Sequence, residues 1–147
     1  MTRIERTALV PWSPVQMFDV VDDVESYPEF LPWCASAELL SRTETEIIGR
    51  LKVSKGQISQ SLTTRNRLDR PHSMTIDLVD GPFKSLSGQW TFVALGDEGC
   101  KVQLDMDFEF DNRLVSFTFG KLFGSAADRL VDAFCNRASE LYGSDHR

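Results

Sequence analysis

KVQLDMDFEFDNRLVSFTFGKLFGSAADRLVDAFCNRASELYG, residues 101–143, changes its period partway along. Over Lys101–Phe110 the residues alternate strictly. Val102, Leu104, Met106, Phe108 and Phe110 fall on one face, and Gln103, Asp105, Asp107 and Glu109 on the other. That is a strand with one face on a core and one in water. From Asn112, a helix N-cap, to Tyr142 the spacing becomes helical, through Val115, Phe119, Leu122, Phe123, Ala126, Leu130, Phe134, Ala138 and Leu141, with Gly143 as the stop. About 28 helical residues at ~1.5 Å each make a rod of about 42 Å, long enough to cross a whole sheet.

Working backwards, strands are predicted at about 35–42, 46–54, 57–68, 73–79, 86–94 and 100–110. They are joined by short turns: Lys55-Gly56, Asp80-Gly81-Pro82 and Gly96-Asp97-Glu98-Gly99. Short turns imply an antiparallel meander. At the N-terminus a strand over Arg3–Val10 precedes Ser13-Pro14-Val15-Gln16, a capping box with proline at the first helical position, and a helix over 14–22. A second capping box, Ser26-Tyr27-Pro28-Glu29, opens one more turn, closed by Pro32. The order predicts an α+β fold in which a curved antiparallel sheet of about seven strands wraps around a long C-terminal helix, with two short helices after the first strand.

Composition bounds the function. The 147 residues form one domain's worth of chain, 41% apolar and 26% charged. The first residues lack an apolar signal region, and no later stretch approaches the ~18 apolar residues of a spanning helix, so a cytoplasmic protein is expected. A net charge of −6 argues against a partner held mainly through phosphates, DNA in particular. The charge is unevenly spread: Arg42 to Arg70 holds seven bases and three acids, a local +4 that leaves −10 elsewhere. Cys34, Cys100 and Cys135 have neither disulfide-framework nor zinc spacing and read as buried thiols. His72, in the turn after Asp69, and His146, in the tail, offer little to a metal. No nucleophile with a base and no phosphate-binding glycine loop is readable, so no catalytic residue, metal or cofactor is expected.

The hairpin at Lys55-Gly56 can be registered from its pattern. With Ser54 opposite Gln57, Ile47, Gly49, Leu51 and Val53 share a face with Ile58, Gln60, Leu62 and Thr64. The other face then pairs Glu46 with Arg65 and Glu44 with Arg67. This leaves Arg42, Arg50, Lys52, Lys55 and Arg70 unpaired, as a solvated face or a binding patch. On the inner face Gln60, Thr64 and Asn66 are polar among apolar neighbours. They satisfy loop backbone, or they line a pocket and bind the polar end of a ligand.

Four segments resemble the coenzyme Q-binding, START-like family of the polyketide cyclase and lipid-transport superfamily, which includes bacterial ribosome-association toxins. They are VPWSPVQMFDVVDDVESYPEFLPWC (residues 10–34), VDGPFKSLSGQWTF (79–92), KVQLDMDFEF (101–110) and DAFCNRASELYG (132–143). Trp12 stands where the family pattern would have tyrosine. The resemblance implies the helix-grip fold and an apolar cavity for a polyprenyl quinone such as ubiquinone, or a related lipid, in support of respiration. Ligand contacts are then expected from Phe18 on the first helix and from Tyr27, Phe30 and Leu31 on the second. The strands would contribute Gln60, Leu62, Thr64, Asn66, Met74, Ile76, Trp90, Phe92, Met106 and Phe108, and the long helix Phe123, Leu130 and Phe134. Tyr27–Leu31 and Gly81-Pro82-Phe83 would form the mouth, with Phe83 and Phe117–Phe123 touching a membrane, a transient peripheral station at the inner membrane. Burying one isoprene unit is worth roughly 3–4 kcal/mol, but lipid offers the tail the same, so selectivity must come from the polar head. The resemblance equally implies association with the large ribosomal subunit that blocks subunit joining; by charge, the contact would fall to Arg42, Arg50, Lys52 and Lys55 on RNA, or to the acids from Asp19 to Glu29 on ribosomal proteins. Cyclase chemistry ranks third, for want of a cavity acid or base.

Overall fold

The computed structural model describes residues 2–97 and 99–143; Glu98 and His146 lie outside the described residues. Seven antiparallel strands form one sheet in the order β1-β7-β6-β5-β4-β3-β2. They are β1 Thr2–Val10, β2 Cys34–Arg42, β3 Glu46–Lys55, β4 Ile58–Asp69, β5 Ser73–Asp80, β6 Phe83–Leu95 and β7 Gly99–Phe110. The expected helix-grip α+β architecture is the observed one. On β7, Val102, Leu104, Met106 and Phe108 are buried while Lys101 is exposed, so the alternation does mark the core face.

Helix α1 spans Pro14–Asp22. Its capping box is complete: Gln16 N–H donates to Ser13 Oγ at 3.1 Å and Ser13 N–H to Gln16 Oε1 at 2.8 Å. The second box does not form. A 3₁₀ segment over Val24–Glu29 starts two residues before Ser26, whose hydroxyl donates instead to Asp23 Oδ2 at 2.6 Å. Pro28 lacks an N–H, and the tighter 3₁₀ turn tolerates it.

The single C-terminal rod is also corrected. The chain makes two helices, α2 Arg113–Asp128 and α3 Leu130–Tyr142, parted at Arg129 (φ −103°, ψ 1°). Arg129 N–H turns to the Ala126 carbonyl at 3.2 Å, an i→i−3 bond that closes α2. Apolar spacing runs unbroken through this point, so local pattern could not show the break. The break lets two shorter helices each lay an apolar face on a curved sheet that one straight rod would meet only along its middle.

The hairpin register differs by two residues. Lys55 opposes Ile58, so the loop is Gly56-Gln57, and Ile47 opposes Asn66, Gly49 Thr64, Leu51 Leu62 and Val53 Gln60. A two-residue shift preserves the faces but changes the partners. The loop sits there because its first residue needs a positive φ, and Gly56 supplies it at +61°. Glu46 consequently faces Arg67 along the backbone, yet its carboxylate reaches Arg65 Nε at 3.5 Å.

Most of the basic residues left over by the sequence pairing have partners after all. Arg42 and Arg70 converge on Asp22 at the end of α1, at 3.1 and 2.7 Å, and Arg50 lies 3.6 Å from Glu38 on β2. Among the described residues Lys52 and Lys55 are without an ion-pair partner. For Arg42 and Arg70 the physical reason is chain return, the helical acids folding back over the β2 and β4 ends, and for Arg50 it is cross-strand register, in which Glu38 stands directly opposite.

Candidate functional site

Between the concave sheet face and α2–α3 lies a cavity of about 90 Å³. Strand β3 contributes Gly49, Leu51 and Val53, and β4 contributes Leu62, Thr64 and Asn66. Ile76, Leu86, Trp90 and Met106 come from β5–β7, and Phe123, Ala126, Ala127, Leu130 and Phe134 from the two helices. Val24, Tyr27 and Trp33 complete the wall. Period-2 geometry explains the strand set: alternate residues on adjacent strands must share the concave face. Thr64 sits opposite Gly49 in the pairing, and the absent side chain there leaves room beside the hydroxyl; a Cβ at Gly49 would already be 3.4 Å from Val24 Cγ1.

Ten of the expected contact residues meet at this cavity: Tyr27, Leu62, Thr64, Asn66, Ile76, Trp90, Met106, Phe123, Leu130 and Phe134. Eight lie elsewhere. Phe18 packs edge-on to Phe92, their centroids 5.8 Å apart, on the α1 side of the core. Phe83 and Phe108 are locked in an aromatic cluster under α2, Phe83 stacked on Phe110 at 5.3 Å and edge-on to Phe123 at 4.8 Å. Met74 is buried behind Asn66, and Leu31 is buried at the exit of the 3₁₀ segment. Phe30 packs on Tyr27 and Phe134, with the Arg137 guanidinium over its ring. Gln60 is half-buried one pleat nearer the hairpin tip, beyond the cavity wall.

Buried Phe83 cannot form a mouth. A separate outer groove lies between the β3–β4 hairpin tip (Ser54, Lys55, Gly56) and the α2–α3 junction (Ala126, Arg129, Asp132, Ala133). Trp33 and Ala126 line both the groove and the cavity, so they form the partition between them. Of the proposed membrane-facing stretch, Phe119 and Phe123 are buried while Phe117 is 87% exposed.

The lining that pattern missed falls into two kinds. Gly49, Leu51 and Val53 had already been placed on the face shared with Leu62 and Thr64, and the adjacent Ala126-Ala127 pair marks thin helix wall; both signals were available. Val24, Trp33 and Leu86 become lining only through tertiary closure.

The cavity's chemistry is sparse. The Tyr27 hydroxyl donates to the Val21 carbonyl, and burial, then the nearby Asp22, raises its pKa far above the usual phenol value. Asn66 Nδ2 points at Met74 Sδ, 3.7 Å away, while Asn66 Oδ1 is buried with no partner. Among the described residues no group of three or more His, Cys, Asp or Glu side chains is placed to hold a metal. Burial pushes the thiols of Cys34, Cys100 and Cys135 up to about 11. Cys34 and Cys100 are buried and Cys135 is half-buried, so Cys34 and Cys100 should react with a disulfide reagent on the order of a hundredfold more slowly in the folded protein than in the unfolded chain. Equal rates for folded and unfolded protein at these two thiols would show that their burial is wrongly described.

A family profile described as polyketide cyclase / dehydrase and lipid transport matches residues 10–135. Over 142 residues the chain is 47% identical to the ribosome association toxin RatA of Pseudomonas aeruginosa, covering 97% of this chain and 99% of that one. It is 26% identical to the mitochondrial coenzyme Q-binding protein COQ10 homolog B of Xenopus laevis, covering 96% of this chain and 60% of the relative. The fold matches the crystal structure of the Zhui aromatase/cyclase from Streptomyces sp. R1128 with a TM-score of 0.81 at 19% identity, covering 94% and 93% of the two chains. A profile matched over residues 10–135, most of this chain, on a sheet and helix pair of the expected topology, places this chain in the polyketide cyclase/dehydrase and lipid transport family, the START-like family.

Proposed function

We propose that this protein acts in the cytoplasm by associating with the large ribosomal subunit, where it opposes subunit joining without performing catalysis. What carries this is the 47% identity, over nearly both full lengths, to a protein named as a ribosome association toxin. The outer face of β2–β4 is the surface best suited to the contact. Lys52 lies between Ser36 and Ser61 across the strands, and Ser54 opposes Ser59, so an unpaired ammonium is flanked by hydroxyls; Lys55, at the hairpin tip, has the opposite parity and lines the groove beside the helices, at the edge of this surface. Lysine and hydroxyl side chains are the usual partners of a phosphate backbone. Arg42 and Arg50, engaged by Asp22 and Glu38, contribute less. In a sucrose gradient the protein should travel with large subunits, and the Lys52→Glu/Lys55→Glu double variant should bind at least tenfold more weakly, with a reduced salt dependence. Protein remaining at the top of the gradient removes the ribosomal function; a double variant that sediments like the native chain removes this surface.

The cavity supports a second activity, binding of a lipid with a polar head. Its lining is apolar but for the Thr64–Asn66 end and the indole N–H groups, and one relative is named for binding coenzyme Q. At about 90 Å³ the cavity is well below the roughly 300–1,000 Å³ of pockets that enclose larger ligands, so a tail must part Trp33 from Ala126 and extend into the outer groove. Exposed Leu114 and Phe117 on α2, beside Arg113 and Lys121, suit a transient contact with a membrane from which such a lipid is drawn. Among the described residues no helix is long and apolar enough to cross that membrane.

A further inference from the structure

The polar end of the cavity distinguishes a hydrogen-bond donor from an acceptor. Asn66 lies on β4 between Ile47 of β3 and Ile76 of β5, so on either side its amide has only hydrocarbon. Its Nδ2 is directed at the Met74 sulfur, which leaves Oδ1, an acceptor with no protons, buried and unpaired in the wall. Thr64, two residues along the same face, has a hydroxyl with no partner among the described residues, and it can donate or accept. The Tyr27 hydroxyl is already committed to Val21. The indole N–H groups of Trp33 and Trp90 can donate to a carbonyl and to a hydroxyl oxygen alike, so they do not tell the two apart.

We infer that the cavity prefers a ligand whose buried end carries an O–H group, a phenol or the reduced hydroquinone, over the matching ether or quinone. The inference rests on the lipid-binding activity proposed for the same cavity. A carbonyl oxygen brought to Asn66 would either face Oδ1 as a second acceptor or require the amide to turn over, which gives up the Nδ2 contact with Met74 and sets Oδ1 against the thioether sulfur, itself an acceptor. A hydroxyl there satisfies the unpaired Asn66 Oδ1 and leaves its own oxygen free to accept from Thr64 or an indole. The discrimination is a single neutral hydrogen bond made or lost, about tenfold in affinity.

The test compares 4-propylphenol with 4-propylanisole, which share ring and tail and differ in the replacement of O–H by O–CH3, by titration calorimetry, with Asn66→Leu separating the lost hydrogen bond from the added methyl. A short-tailed hydroquinone and its quinone, under anaerobic conditions, form a second pair. The native protein should bind the phenol about tenfold more tightly than the anisole, and the hydroquinone more tightly than the quinone. Asn66→Leu, of similar size, should bring the phenol down to the anisole's affinity while the anisole is unchanged. Equal affinities in the native protein, or a preference for the quinone, would overturn the inference and leave lipid binding standing; this needs no variant to fold. A preference that survives in Asn66→Leu, with Thr64→Val as the parallel variant, would also overturn it. If none of the four compounds binds and chloroform extraction of the purified protein yields no lipid, the lipid-binding activity itself fails and the inference falls with it.

Discussion

Phe134→Ala should lower the free energy of unfolding by about 3–5 kcal/mol, seen as a lower urea midpoint with an unchanged slope. Phe134 is 1% exposed, and its ring stands edge-on to Tyr27, Phe30 and Trp90 with centroids 5.2, 5.5 and 5.3 Å away. It therefore ties α3 to the 3₁₀ segment and to β6 at one point. The ring also lines the existing cavity, so its removal joins a new void to an old one and the walls have little freedom to collapse. Phe30→Ala is the matched control. Phe30 is only half-buried, and its truncation should cost about 1–2 kcal/mol. Equal losses for the two variants would mean that Phe134 does not carry the packing assigned to it.

Asp22→Ala should cost about 2 kcal/mol, the second largest effect expected. The carboxylate is 9% exposed and accepts from Arg42 Nη1 at 3.1 and 3.2 Å and from Arg70 Nη2 at 2.7 Å, while the Asp22 carbonyl accepts from Arg42 Nη2 at 3.1 Å. Arg70 also bonds Asp19 and lies 4.4 Å above the Phe18 ring. Breaking a fully buried pair costs about 3–5 kcal/mol, but both arginines are more than a third exposed and can turn to water, which lowers the figure. Thermal melts of Asp22→Ala and of Arg42→Ala/Arg70→Ala should show losses that overlap, because they remove the same contacts. Simple additivity across the three substitutions would show that the cluster does not act as a unit.

The same cluster shows where sequence ceased to be informative. In the sequence Asp19 and Asp22 are part of the −10 that lies outside Arg42–Arg70, and Arg42 and Arg70 part of the local +4, with nothing to say that one neutralises the other. Their meeting depends on α1 folding back across the ends of β2 and β4, a contact between residues 20 and 48 positions apart. Register behaved differently. The inner and outer faces of the β3–β4 hairpin were legible because side chains alternate with a period of two. The partners were not, because a shift of two residues keeps every face and is decided by which residue can take the positive φ of the turn. The aromatic residues of the expected site divided for a similar reason. Phe83, Phe92 and Phe108 are on the core face like Trp90 and Met106, but the core is partly filled and partly hollow, and only the position of the helices decides which.

By itself the sequence determined the type and order of the elements, the face each strand turns inward, the capped start of α1 and the family. The elements, faces and cap are written in short-range periodicity and turn chemistry, which the backbone reads within a few residues, whereas the family is carried by the resemblance of four segments. The tertiary structure alone decided the break at Arg129, the closing of the ion cluster on Asp22, the extent of the cavity and the unpaired oxygen of Asn66. Each depends on what a curved sheet brings against a helix from far along the chain, and no local period encodes that distance.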